Sequence, residues 1–122
     1  MVEELQRKMQ KELEAFNSAQ KEYHKAVAQK QQLDSQLHET KAVKEELMLL
    51  KKDAEVYKLI GPVLIKQDLE EARQNVTKRM DYINKEIKRS DGHISALENK
   101  QEAIQTNLNK LRNEMASLKM AA

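Results

Sequence analysis

The groups in this chain that could do chemistry are few and scattered. Its imidazoles are His24, His38 and His93. An imidazole becomes a metal ligand or general base when a second donor stands at a fixed spacing, as in His-Glu-x-x-His on one helix face. None of the three has such a neighbour, and all read as solvated positions. Cysteine is absent, which removes thiol nucleophiles, thiolate zinc ligands and disulfide staples. A phosphate cradle needs clustered glycines ahead of Lys-Ser/Thr, whereas Gly61 and Gly92 stand alone, so no ATP site is expected. The cations Lys78, Arg79, Lys85, Lys88 and Arg89 are interleaved with Asp81, Glu86 and Asp91, without aromatics on which bases would stack. They mark a solvated helix face and not a nucleic-acid surface. Asn75-Val76-Thr77 spells a glycosylation sequon, but no apolar signal segment opens the chain and Val76 falls on an apolar stripe. The expectation is a protein that is no enzyme, with no cofactor and no metal.

The elements that hold these residues are constrained by composition. Over 122 residues, 22 Lys or Arg face 20 Asp or Glu, giving 34% charged positions and a net charge of only +2. That balance excludes a polyanion-binding tail. Apolar residues reach 39% and aromatics 3%, below the roughly 45–50% apolar share of globular domains. A compact single-core enzyme is excluded, leaving long helices with a narrow apolar seam or a disordered chain. The longest nearly apolar stretch, Val56 to Ile65, contains Lys58 and is half the roughly twenty residues that cross a bilayer. A soluble, cytoplasmic protein is expected.

Periodicity decides for helices. In the second half Leu69, Val76, Met80, Ile83, Ile87, Ile94, Leu97, Ile104, Leu108, Leu111, Met115, Leu118 and Ala122 share one heptad a/d frame, broken only by Arg73, Ser90 and Gln101. The first half keeps a weaker frame through Val2, Leu5, Met9, Phe16, Ala19, Tyr23, Ala26, Leu33, Leu37 and Leu47, with Glu12, Lys30, Thr40 and Lys44 as exceptions. Between the halves, Glu55-Val56-Tyr57-Lys58-Leu59-Ile60, Gly61-Pro62 and Val63-Leu64-Ile65-Lys66-Gln67 break the helical period and read as a β-hairpin. Asp68 and Glu71 stand three apart, as in a capping box, and start the second helix. The expected unit, residues 1–122, is mainly α: helix 3–52, hairpin 55–67 and helix 68–120. Arms of equal length fold back into an antiparallel coiled coil about 75–80 Å long. A register with paired residue numbers adding to about 120 is preferred to one near 127, since it sets Lys30 beside Ser90 and Leu5 beside Met115. Gly92 weakens the second helix by roughly 1 kcal/mol relative to Ala and invites a bend.

A lone hairpin is marginal in water, and this one is apolar on both faces apart from Lys58 and Lys66, with unpaired edges. Hairpins of several chains are expected to combine into a shared sheet or barrel through Val56, Tyr57, Leu59, Ile60, Val63, Leu64 and Ile65. Gly61 permits a primed turn, with a loop of two or three residues. Of the polar seam residues, Lys30 and Gln101 read as register-setting defects, while Lys44 and Arg73 fit either that role or an assembly contact.

The run Val43-Lys44-Glu45-Glu46-Leu47, the stretch Val56-Tyr57-Lys58-Leu59-Ile60-Gly61-Pro62-Val63-Leu64-Ile65-Lys66-Gln67, Glu71-Ala72-Arg73 and Lys78-Arg79-Met80-Asp81-Tyr82-Ile83 resemble β-type subunits of prefoldin. The Lys58 to Gln67 stretch most resembles one eukaryotic subunit type. The resemblance implies a hexameric, ATP-independent co-chaperone in which α-type and β-type subunits share a β platform. It captures unfolded proteins, nascent actin and tubulin among them, and passes them to the cytosolic group II chaperonin. It also implies client contact at the arm ends, here Val2, Leu5, Met9, Leu111, Met115, Leu118 and Met120. Frayed helix ends and adaptable methionines suit such contacts, although the same spacing also suits residues that merely close the coiled coil. The alternative function, a plain coiled-coil tether or adaptor, has no use for an aggregation-prone hairpin midway along its chain.

Overall fold

The computed structural model describes residues 1–121; Ala122, assigned above to the seam, lies outside the described residues. The order is α1 (Val2–Leu49), β1 (Val56–Ile60), β2 (Val63–Gln67) and α2 (Leu69–Ala121). Acidic Glu3 and Glu4 in the first turn of α1, and Glu70 and Glu71 in that of α2, complement the positive ends of the two helix dipoles. Asp68 caps α2: its Oδ2 accepts the Glu71 N–H at 3.2 Å while its carbonyl takes the Ala72 N–H at 2.9 Å. The α2 helix runs through Gly92 without a break.

The chain packs as two units, residues 30–89 forming one and the remainder the other. In the unit built from residues 1–29 and the stretch beginning at Ser90, Leu5, Ala19, Ala26, Leu97, Leu108, Leu111 and Met115 are buried. Leu5 clusters with Leu111 and Met115, and the Tyr23 hydroxyl lies 3.5 Å from Glu98 Oε1. In residues 30–89 the buried residues are Thr40, Ala72, Val76 and Ile83. Leu33, Leu37, Leu47, Met80 and Ile87 are half-buried. Both units therefore keep the preferred pairing, with residue numbers adding to about 120.

Among the described residues no large side chain is fully buried. Two helices present one stripe each, so most bulky knobs keep an edge in water; among the described residues Ala19, Ala26 and Ile83, 1%, 2% and 2% exposed, come nearest to disappearing from the surface. Thr40 is the buried polar exception, and its Oγ1 donates to the Gln36 carbonyl at 2.7 Å within its own helix.

The α1 helix stops at Leu49, short of the expected residue 52. Its last turn carries no basic residue, and the cation comes from α2. Arg73 Nε donates to the Leu47 carbonyl at 3.1 Å and a terminal nitrogen of its guanidinium to the Leu50 carbonyl at 3.0 Å. Carbonyls left without intrahelical partners at a helix C-terminus are thereby satisfied. A turn then follows, with Ala54 N–H bonded to the Lys51 carbonyl at 3.0 Å.

Candidate functional site

The hairpin is built around Gly61 and Pro62. Ile60 pairs with Val63, so the loop has two residues. Gly61 has φ 58°, a left-handed value open to glycine at no steric cost, while the ring of Pro62 holds φ negative. Positive followed by negative φ is the type II′ pattern, which matches the twist of the strands; type I′ needs both positive.

That loop length fixes the faces. Pairing runs Val56↔Gln67, Tyr57↔Lys66, Lys58↔Ile65, Leu59↔Leu64 and Ile60↔Val63. Residues opposite each other share a face and faces alternate along a strand. One face thus carries Val56, Lys58, Ile60, Val63, Ile65 and Gln67, the other Tyr57, Leu59, Leu64 and Lys66. Glu55 serves the second face, accepting from the Tyr57 hydroxyl at 2.9 Å and pairing with Lys66 at 3.8 Å. Neither face is covered: on one, Leu59 is 68% exposed and Leu64 64%, and on the other Ile60 is 51% and Val63 54%. The edges are equally open. Ile60 and Val63 exchange both backbone bonds at the loop, so alternation turns the N–H and C=O groups of Leu59, Leu64, Tyr57 and Lys66 outward, ready for another strand.

At the arm ends the structure brings together five of the seven residues expected to meet clients. Leu5, Leu111 and Met115 form a buried cluster with Met9 and Leu118 packed on it, whereas Val2 is 40% and Met120 89% exposed. Fully burying a Leu or Met contributes roughly 1.5–3 kcal/mol, so exposing Leu5, Leu111 or Met115 costs about that much, and the half-buried Met9 or Leu118 less. An open groove of about 830 Å³ flanks the cluster, with Met1, Leu5 and Leu118 among its lining residues and Glu4, Lys8 and Glu114 at its polar rim.

The sequence matches the family model described as "Prefoldin subunit" over residues 10–118. The chain belongs to the prefoldin subunit family. It is 55% identical over 95 residues to a probable prefoldin subunit 6 of Drosophila melanogaster, covering 78% of this chain and 74% of that one. With prefoldin subunit 6 of Mus musculus it shares 45% identity over 114 residues, covering 93% and 90%. Among solved structures, the prefoldin beta subunit from Thermococcus strain KS-1 superposes with a TM-score of 0.61 over 91% of both chains at 24% identity, a likeness of fold. Subunit 6 is the eukaryotic type that the Lys58 to Gln67 stretch resembles. Prefoldin subunits are co-chaperone components, and the match takes in the whole hairpin, Arg73, Leu111, Met115 and Leu118. Val2, Leu5, Met9 and Met120 fall outside it.

The remaining chemistry-bearing groups of this prefoldin subunit lie apart. His24, His38 and His93 are exposed, and among the described residues no group of His, Asp and Glu could hold a metal ion. In the sequon, Val76 is buried and the Thr77 hydroxyl donates to the Arg73 carbonyl at 2.9 Å. No helix among the described residues is long and apolar enough to cross a membrane. Of the two seam residues whose role the sequence left open, Lys44 and Arg73, the second is now seen as the cap of α1. The signal was present: a cation at a seam position opposite the end of a helix whose own last turn lacks one.

Proposed function

We propose that residues 1–122 act as one β-type subunit of a hexameric, ATP-independent prefoldin in the cytoplasm. In this reading the chain joins α-type and β-type subunits through Val56, Tyr57, Leu59, Ile60, Val63, Leu64 and Ile65. It holds unfolded clients, actin and tubulin among them, with Val2, Leu5, Met9, Leu111, Met115, Leu118 and Met120, and hands them to the cytosolic group II chaperonin. One observation carries the assembly role: a hairpin of two five-residue strands, bare on both faces and both edges, a surface that favours association with further strands. For the arm ends, the support is the exposure of Val2 and Met120, an open groove lined in part by Leu5 and Leu118, and the presence of three of the chain's six methionines, Met9, Met115 and Met120, among the seven residues. Methionine adapts to many apolar partners.

Leu59→Asp with Ile65→Asp tests the assembly role, because each change would bury a carboxylate without a partner. Native mass spectrometry of the variant mixed with the other prefoldin subunits should show it left out of the complex, its helicity by circular dichroism retained. Incorporation at the wild-type level would refute the shared platform.

A further inference from the structure

The hairpin is too small to hold an assembly by itself. Each strand contributes five residues, whereas a standard specific interface engages about 20–30 residues on each side. More surface must be recruited, and the structure leaves one apolar patch bare beside the hairpin. Met48 is 50% and Leu49 83% exposed, at the end of α1. Neither occupies the heptad seam, which passes through Lys44 and Leu47, so packing between the two helices gives them no use. They line a groove of about 570 Å³ with Lys41, Lys44, Glu45 and the α2 residue Met80. All of these residues, and the hairpin, belong to the unit formed by residues 30–89.

We propose that this groove is the second half of the assembly interface, occupied by an apolar side chain of the neighbouring prefoldin subunit, next to the strand that pairs with this chain's hairpin. The inference rests on the reading of the hairpin as the assembly element. Three features fit a subunit and argue against an unfolded client or a second copy of this chain. The groove adjoins the open strand edges in sequence and lies in the same packing unit, so one rigid neighbour can engage both. Its rim bears Lys41 and Lys44 against a single carboxylate, Glu45, which favours an occupant whose apolar residue is flanked by acidic ones. A second copy would bring the same cationic rim and meet it with like charge. The polar rim around an apolar centre is the general anatomy of a specific interface.

The test compares two full-length variants in reconstitution with the other prefoldin subunits: Met48→Asp with Leu49→Asp in the groove, and Leu59→Asp with Ile65→Asp in the hairpin. Both groove positions are exposed in the single chain, so helicity should be unchanged; Met48→Ala with Leu49→Ala, which adds no charge, serves as a milder second variant. The groove Asp variant should raise the dissociation constant for entry into the complex about tenfold or more, and the Ala variant less, with client holding per assembled complex unchanged. Entry of both groove variants at wild-type affinity, while the hairpin variant is excluded, overturns the groove and leaves the hairpin reading standing. Normal entry of the hairpin variant overturns that underlying reading. Normal entry of the groove variants with weakened client holding would assign the groove to clients, and a loss confined to self-association of the isolated chain would assign it to a second copy; either overturns the proposal.

Discussion

Replacing Arg73 with Met should loosen the junction between α1 and the hairpin while leaving the arm ends untouched. The guanidinium donates to the Leu47 and Leu50 carbonyls at 3.1 and 3.0 Å, and also stands 3.5 Å from Glu70 Oε2. Hydrogen bonds from a charged donor contribute about 1.5–3 kcal/mol when well protected. Here the Arg73 side chain is 23% exposed and that of Glu70 70%, so water can replace part of what is lost and the ion pair adds only a few tenths of a kcal/mol. A net loss of about 1–2 kcal/mol follows, a factor of roughly 5–30 in the local opening equilibrium. Met retains the aliphatic packing of the arginine stem and removes the donors. Two amides report the opening: Leu50 N–H, bonded to the Leu47 carbonyl at 3.4 Å, and Ala54 N–H, bonded to the Lys51 carbonyl at 3.0 Å. Native-state hydrogen exchange should show their protection falling by that factor, with amides near Leu5 and Leu111 unchanged. Arg73→Lys should fall between, since one ammonium cannot match a planar fork spanning two carbonyls. Undiminished protection at Ala54 in the Met variant, or an equal loss at the arm ends, would refute the capping role.

The two glycines should respond oppositely although a Cβ at either meets nothing within 4 Å. Gly61→Ala places an L-residue at φ 58° and should weaken hairpin protection by about 1–2 kcal/mol in hydrogen exchange; Gly92→Ala, inside α2, should stabilise by about 0.5–1 kcal/mol and raise the melting temperature by roughly 2–5 °C. Thr40→Val should change stability by less than about 0.5 kcal/mol by denaturant unfolding, because the lost hydroxyl bond goes to a carbonyl of its own helix and the apolar methyl fits the buried site. Removing residues 1–9 together with 111–122 should abolish crosslinking of an unfolded client to this subunit while the complex still assembles; undiminished crosslinking in an intact complex would refute the arm-end assignment.

The seam was legible because a period is written by many residues at once. Every described a/d position from Leu5 to Leu47 and from Leu69 to Leu118 is buried or half-buried, polar Glu12, Lys30, Ser90 and Gln101 included. The hairpin was legible from its β-branched runs around Gly61-Pro62, but its loop length was not, since glycine suits several turns; pairing of Ile60 with Val63 settles it. The stop of α1 could not be read locally. Leu49 and Leu50 are good helix formers, and the helix ends where Arg73, distant in sequence, takes its last carbonyls. At the arm ends the residue types were visible in sequence, yet the state of Leu5 depended on where Leu111 and Met115 would lie. Only the fold brings them together.

A two-helix seam also determines where apolar residues outside it must find cover. Each helix has one stripe against its partner, and among the described residues only a few large side chains on that stripe, Ile83, Leu97 and Leu108 foremost, are almost wholly buried. The fold therefore offers little interior in which a further Leu or Met off the stripe can be hidden. Apolar residues off the seam stay bare until another molecule covers them, and their distribution bears on the proposed sites of association. The exposed large apolar residues gather between Val43 and Ile65; outside that span they are Met1, Val2 and Met120 at the chain ends and the isolated Leu13 and Tyr82. Scattered single residues are ordinary on a soluble surface, whereas contiguous ones mark an interface. A tether would have no reason to gather them at one place. A subunit that joins its neighbours at the hairpin, as proposed, would have reason to place them there, with a smaller apolar group at the arm ends.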